Sequence, residues 1–210
     1  MKNVKQSRKA EKLKDSWYRC CEKGIDKKLE GFLKCVTRDE LKERKRESSD
    51  LIKVFIEEVK EITEKYADNR PYIFFLTDSE GVLIAKYCCK ENEENIKEGV
   101  CFTEDSCGTN AISLAMEVKN IIYLKGVEHY CDCFYNWECL ATPIVVHNKT
   151  IGYLDMSFLG KKIIERDRML FELILNKLIA RMTLNVLFYS EKKIVLNEIT
   201  KDVLRLSACG

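Results

Sequence analysis

Soft metal ligands are crowded into one stretch in the middle of the chain. Five of the eleven cysteines and one of the two histidines lie between residues 101 and 144. Thiolate and imidazole are ligands that zinc, iron and iron–sulfur centres favour. One hypothesis is therefore a metal or iron–sulfur site, although no C-x2-C pair marks it. Its candidate ligands are Cys101, Cys107, His129, Cys131, Cys133 and Cys139.

Two other interpretations of the cysteines stay open. Their number is odd and the start of the chain lacks an apolar signal-peptide core, which argues against a disulfide framework. Most of the thiols are then small buried hydrophobic residues, or some of them sense redox changes. A redox sensor needs an exposed thiolate with a low pKa, which a sequence does not show.

The composition predicts one sizeable globular core. The chain has 210 residues, of which 46% are hydrophobic and 33% charged, and its net charge is +2. So small a surplus gives no electrostatic basis for nucleic-acid binding by this segment. The most apolar late stretch, Met169 to Tyr189, is interrupted by charged and polar residues. We therefore expect no membrane span and predict a cytoplasmic location.

Helices are predicted before and after this central stretch. Residues 1–15 are charged and weakly patterned, as in a frayed helix, and Ser16 is placed to cap a short helix that carries Trp17 inward. Apolar residues at three- and four-residue steps predict one long helix from Arg38 to Tyr66. The same spacing predicts another from Lys161 to Tyr189.

Strands are predicted between the two long helices. Short apolar runs joined by turn residues indicate two hairpins, a short helix and one further strand. The ranges are 72–76 with 82–87, 111–116 for the helix, 120–124 for the single strand, and 141–146 with 151–157. This order predicts an α+β fold in which one antiparallel sheet lies between helices and a pocket.

Three groups of residues occur in an order and spacing that carry a family resemblance. They are Ser16-Trp17-x-Arg19-Cys20 with Gly24-Ile25-Asp26; Glu104-x3-Gly108-Thr109-Asn110-Ala111-Ile112; and Glu128-His129-Tyr130, Trp137-x-Cys139-x3-Pro143-Ile144 and Gly152-x-Leu154-Asp155-x-Ser157. Over residues 15–190 the chain resembles a GAF domain, more narrowly the sensory domain of acetoin-catabolism-type transcriptional activators. It departs from that pattern at Lys27, where proline is usual, and in the added thiols Cys101, Cys107, Cys131 and Cys133.

The resemblance implies a GAF-like sensor domain at residues 38–190, preceded by a helical extension at 1–37. In such a domain, loops and a short helix close a largely apolar pocket over the sheet. Thr109 and Asn110 also lie at a helix start, where both side chains are expected to cap backbone amides. The expected ligand-binding residues are Phe102, Glu104, Thr109, Asn110, Glu128, His129, Tyr130 and Trp137.

The two long helices have more apolar circumference than one sheet can cover. Pairing them across a two-fold axis in a homodimer would bury the surplus as a helical bundle. A small-molecule effector would then favour one packing of these helices and signal through the closing helix.

Residues 191–210 have two interpretations. Leu196 to Gly210 resembles the opening of a LuxR-type helix-turn-helix, and is equally typical of an amphipathic closing helix. In the first case, DNA is bound only through a C-terminal domain missing from this chain.

Catalysis is the remaining class of function. Some GAF proteins reduce methionine sulfoxide with cysteines that line the pocket, and this chain has many thiols. No Ser-His-Asp arrangement, phosphate loop or carboxylate pair stands out, and long flanking helices are typical of a signalling module. We therefore expect a regulatory domain rather than an enzyme.

Overall fold

A five-stranded antiparallel sheet forms the centre of the molecule. The computed structural model describes the backbone of residues 2–66, 70–89 and 96–208, and the side chains of residues 9–66, 70–89 and 96–188. The strands are β1 (Ile73–Thr77), β2 (Leu83–Cys88), β3 (Ile122–Leu124), β4 (Trp137–Val146) and β5 (Lys149–Leu159). Their order in the sheet is β2-β1-β5-β4-β3, and each neighbouring pair is antiparallel.

Helices cover both faces of this sheet. They are α1 (Lys2–Glu22), α2 (Arg38–Glu47), α3 (Ser49–Tyr66), α4 (Glu104–Cys107), α5 (Ala111–Val118) and α6 (Glu165–Ala208). In β1, Phe74 and Leu76 pack in the layer with α3 and α6, whereas Ile73 and Phe75 pack in the layer with α1 and α5. Alternate residues of a strand face opposite sides, so this division follows from the period of two.

Ion pairs of two buried carboxylates hold α6 against the sheet and against α3. Asp167 is fully buried in the first turn of α6 and accepts hydrogen bonds from the Tyr72 hydroxyl (2.8 Å) and the Arg70 guanidinium (2.7 Å). Glu58 of α3 lies 2.6 Å from Lys177 Nζ and 2.8 Å from Arg181 NH1. A displacement of α6 must therefore also move α3 or break these contacts.

The structure corrects three helix predictions. α1 includes the residues that were predicted to fray. It also continues past Ser16, which is therefore an interior residue of the helix and does not cap its start. The helix predicted from Arg38 to Tyr66 is two helices, because Ser48 has non-helical geometry (φ −99°, ψ 15°). α6 ends at Ala208 rather than at Tyr189.

α6 also bears on the expected end of the sensor domain. It passes residue 190 without interruption, so the predicted boundary at 190/191 coincides with no element end. Residues 196–208 of the LuxR-like segment are part of α6, and its last two residues lie outside the described ranges. That resemblance stays a prediction. Within the described ranges, no helix combines the length and the apolar character needed to cross a membrane.

Candidate ligand-binding site

A small cavity lies between the sheet and the start of α5. Its volume is about 10 Å³, roughly the room that one water molecule needs. Four of the predicted ligand-binding residues line it, namely Phe102, Asn110, His129 and Trp137. The other lining residues are Phe75, Ile96, Ala111, Ile112, Phe134, Cys139, Asp155 and Ser157.

His129 lines this cavity and has a buried ring nitrogen. The side chain is only 4% exposed, and in the described part of the chain its Nε2 has no hydrogen-bond partner. Nδ1 lies 3.2 Å from the Gly126 carbonyl oxygen, which can only accept, so Nδ1 carries the hydrogen. Burial lowers the pKa of His129 to about 4, so the ring is neutral at pH 7. Nε2 is therefore a buried acceptor suited to a ligand donor.

Two polar residues of β5 face the same cavity. Asp155 and Ser157 are two positions apart in the strand and so share one face. The Ser157 hydroxyl donates to Asp155 Oδ1 at 2.5 Å. Burial raises the pKa of Asp155 to about 7, so this carboxyl is part protonated at neutral pH and can donate as well as accept. The sequence prediction of ligand contacts missed both residues.

Asn110 lines the cavity, but its hydrogen bonds are used within the chain. Its Oδ1 accepts from the Ser113 N–H at 2.9 Å, and Ser113 Oγ accepts from the Asn110 N–H at 3.0 Å. Together these bonds form the capping box that starts α5. Nδ2 donates to the carbonyl oxygens of Phe102 and Gly108. The predicted capping role is thus confirmed for Asn110, which shapes the wall of the cavity.

The other predicted ligand-binding residues do not line the cavity. They are Glu104, Thr109, Glu128 and Tyr130. Each contacts α1 instead: for example, Glu104 pairs with Arg19, and Thr109 Oγ1 lies 2.7 Å from Ser16 Oγ. Thr109 therefore does not cap α5, and that prediction is wrong. These four residues connect the N-terminal helix to the segments that bear the cavity.

Comparisons with known proteins point to transcriptional regulators. No protein-family model matches the chain. It is 28% identical over 161 residues to the acetoin dehydrogenase operon transcriptional activator AcoR of Bacillus subtilis, over 72% of this chain and 26% of AcoR. The chain is a relative of this activator. The propane 2-monooxygenase operon transcriptional activator MimR of Mycolicibacterium smegmatis is 24% identical over 106 residues, 47% of this chain and 18% of MimR. The resemblance predicted from the motifs is confirmed, and the chain spans about a quarter of the length of AcoR.

A solved structure shows the same fold. DhaR(N) of E. coli, crystallised in complex with DhaL, matches the chain with a TM-score of 0.76 at 16% sequence identity. The match covers 90% of this chain and 65% of that chain. The predicted α+β fold, a GAF-like antiparallel sheet flanked by helices, is confirmed. The dimeric helical bundle stays a prediction.

Of the four added thiols, Cys107 and Cys131 are buried and Cys101 and Cys133 are half-buried, and the motif residue Cys139 is also buried. Burial raises the pKa of Cys131 to about 12, and burial also raises the pKa values of Cys107 and Cys139 well above the usual value for a thiol. A protonated thiol is a poor nucleophile and must lose its proton to bind a metal. Among the described residues, no three His, Cys, Asp or Glu side chains converge as a metal site requires. Within one chain, the geometry favours the interpretation of these cysteines as small buried hydrophobic residues.

Proposed function

We propose that this chain is the effector-sensing domain of a transcriptional regulator and binds a small neutral organic molecule beside His129. The observation that supports this most directly is His129 Nε2, a buried acceptor with no partner among the described residues, at a cavity with aromatic walls. In the complex, a ligand hydroxyl or N–H donates to Nε2. Asp155 and Ser157 supply a second polar contact, and Phe102 and Trp137 contact the apolar part of the ligand.

The same cavity supports the proposal of a small, uncharged effector. At about 10 Å³ the cavity must enlarge to admit an organic molecule, so the effector binds a second, more open arrangement and increases its population. AcoR and MimR are named for the operons of acetoin dehydrogenase and propane 2-monooxygenase. Acetoin and propane are small uncharged molecules, and a neutral imidazole among aromatic rings suits an effector of that kind.

Replacing His129 with asparagine should raise the dissociation constant for the effector at least about tenfold. Asparagine retains a donor for the Gly126 carbonyl oxygen but lacks the Nε2 acceptor, so one hydrogen bond worth about 1.4 kcal/mol or more is lost. A thermal-shift screen of small alcohols, ketones and amides against the wild-type chain first identifies the effector, because binding to the native state raises the melting temperature. Calorimetric titration then compares the two proteins.

His147 provides the matched control for that experiment. It is the chain's other histidine, is exposed, and occupies a turn position with φ 49°, a geometry that asparagine tolerates well. His147→Asn should therefore bind the effector as the wild type does. Wild-type affinity in His129→Asn, or a screen in which no compound stabilises the wild-type chain, would contradict the proposal.

The output of the proposed sensor is α6, which also forms the dimer contact. Successive residues of an α-helix are about 100° apart around its axis. On that basis, four exposed apolar residues of α6 lie within about 60° of its circumference and form one stripe. They are Met169, Leu173, Leu184 and Leu187. In the proposed homodimer, two copies of α6 pair along this stripe. The contacts of Glu58 with Lys177 and Arg181 link the position of α6 to α3.

Leu187→Lys is expected to convert the dimer into a monomer. The substitution places two like charges at a contact that the two-fold axis repeats, and it removes apolar surface from the stripe. Light scattering coupled to size exclusion at micromolar concentration measures the mass. Leu33 lies in a loop and is 58% exposed against 47% for Leu187, so Leu33→Lys should leave the dimer intact. A monomeric wild-type chain at that concentration would rule out the dimer.

DNA binding belongs, in this proposal, to a further domain of the regulator. The net charge of +2 gives this chain no electrostatic basis for it, and the aligned part of AcoR is 26% of that activator. We place the regulator in the cytoplasm and assign this domain a signalling role rather than a catalytic one.

A further inference from the structure

The N-terminal part of the chain crosses both segments that bear the cavity. One segment, residues 102–112, contains the wall residues Phe102 and Asn110, and the other, residues 126–130, contains His129. Residues 9–36, named here the N-terminal strap, comprise most of α1 and the loop that follows it. Side chains of the strap contact both segments.

Polar contacts attach the strap to the first segment. Arg19 NH2 lies 2.6 Å from Glu104 Oε1 and 2.6 Å from Oε2 of Glu117 in α5. The Ser16 hydroxyl, fully buried, is 2.7 Å from Thr109 Oγ1, and the next residue, Asn110, is the cap of α5 at the cavity. The strap therefore determines where this wall of the cavity stands.

A second set of contacts attaches the strap beside His129. Trp17 Nε1 donates to the Glu128 carbonyl oxygen at 3.0 Å, and Lys9 Nζ is 2.8 Å from the carboxylate of the same residue. The Trp17 ring packs edge-on against Tyr130, with ring centroids 5.5 Å apart. Both neighbours of His129 in the chain are thus held by α1.

The loop of the strap covers the aromatic wall from outside. The Phe32 ring centroid is 5.0 Å from that of Phe102 and 6.0 Å from that of Phe134, and both of these residues line the cavity. The Leu33 N–H donates to the Ser106 carbonyl oxygen at 2.8 Å. Moving the loop would uncover this wall of the cavity.

The ion pairs of the strap with Glu117 are attachments that water can replace. The side chains of Arg19 and Lys12, which both pair with Glu117, are each 35% exposed, and exposed ion pairs contribute about 1 kcal/mol or less. Of the apolar side chains in the strap, only Cys20 and Ile25 are fully part of the buried core, and Leu13, Trp17, Leu29 and Phe32 pack against it while partly exposed. All five residues of β1, by contrast, are buried. Segments with few buried apolar contacts open at a lower free energy than core strands.

We propose that the N-terminal strap opens as a unit while the sheet stays folded, and that this opening is the route by which a small neutral molecule reaches the cavity. The claim that a ligand enters by this route rests on the proposed function. The claim that the strap opens does not depend on any ligand. Because the strap holds both neighbours of His129 and the residue before Asn110, its release frees two walls at once.

The chain contains its own reporters of such an opening. Cys20 lies in the strap, and Cys139 lines the cavity beneath it. Methyl methanethiosulfonate is a small neutral thiol reagent, and mass spectrometry gives its rate of reaction at each cysteine. Arg19→Gln removes the ion pairs with Glu104 and Glu117 and should accelerate modification of both thiols about tenfold. About 1 M NaCl should accelerate it in the wild-type chain, because salt screens ion pairs.

Arg44 offers a matched control on another surface. It contacts three carboxylates, those of Glu40, Asp78 and Glu80, where Arg19 contacts two, and these lie on α2 and at the turn between β1 and β2. Arg44→Gln should leave both modification rates unchanged. Amide hydrogen exchange at Phe74 in β1 reports global unfolding and should be the same in Arg19→Gln as in the wild-type chain.

Several results would overturn the proposal that the N-terminal strap opens to admit the ligand. Equal acceleration of Phe74 exchange and thiol modification means that the whole domain unfolds. Faster reaction at Cys20 without faster reaction at Cys139 means that the cavity is reached elsewhere, and no acceleration at either means that Arg19 does not hold the strap. No effector is used in these measurements, so their failure is distinct from a failure of binding at His129.

Discussion

Replacing Gly126 with alanine should lower the free energy of unfolding by about 3 kcal/mol. A Cβ atom at residue 126 would lie 1.6 Å from the carbonyl oxygen of Tyr135, and backbone cannot move aside as a side chain can. The turn at Gly126–Glu128 would have to shift, and with it the carbonyl that holds His129 Nδ1. Urea unfolding measures the change, and the melting temperature should fall by about 6–12 °C.

Gly31 provides the control for that substitution. A Cβ atom at residue 31 meets no other atom within 4 Å, and its φ lies outside the left-handed region. Gly31→Ala should therefore change stability by no more than about 0.5 kcal/mol. If Gly126→Ala were as stable as Gly31→Ala, residues 126 and 135 would not be in close contact. The position of His129 in this structure would then also be contradicted.

The second large effect concerns the pH dependence set by Asp155. Its pKa is about 7 in the folded chain because the carboxyl is buried, against about 4 in an unfolded chain. Between these values the unfolded chain is ionised and the folded chain protonated. The stabilising contribution is therefore complete below pH 4 and is lost as pH rises through 7. A shift of about three pKa units corresponds to about 4 kcal/mol.

Asp155→Asn should abolish that dependence. Asparagine does not ionise and can still bond to the Ser157 hydroxyl, so the variant should gain stability over the wild type as pH rises from 4 to 8. Urea unfolding at intervals of pH gives both curves. Asp50→Asn removes a carboxyl from the exposed surface of α3 and serves as the control for loss of charge. Parallel curves for the wild type and Asp155→Asn would show that the residue 155 carboxyl is not buried.

Periodic patterns predicted most of the sheet and the helices that cover it. The two hairpins and α5 have bounds within a few residues of the predicted ones, because alternation and turn residues are local signals. The break at Ser48 was missed since α2 has no buried residue, and apolar spacing therefore says nothing about where it stops. The full length of α6 was missed because the apolar pattern changes after Tyr189.

The cavity was predicted only in part, for a physical reason. Aromatic residues such as Phe102 and Trp137 signal an apolar wall by their type alone. Glu104 was assigned to the ligand because its partner, Arg19, is 85 residues away in the chain and no local pattern shows it. Asp155 and Ser157 did carry a signal, a polar pair on one face of an otherwise apolar strand.

The length of α6 makes it a lever. Met182 packs against the core and Ala208 ends the helix, so about 39 Å of helix separates the two residues at 1.5 Å per residue. A tilt of about 5° at the sheet would move the far end by about 3 Å, close to the length of one hydrogen bond. Repacking too small to alter the sheet would thus be large enough, at the far end of this helix, to make or break a contact.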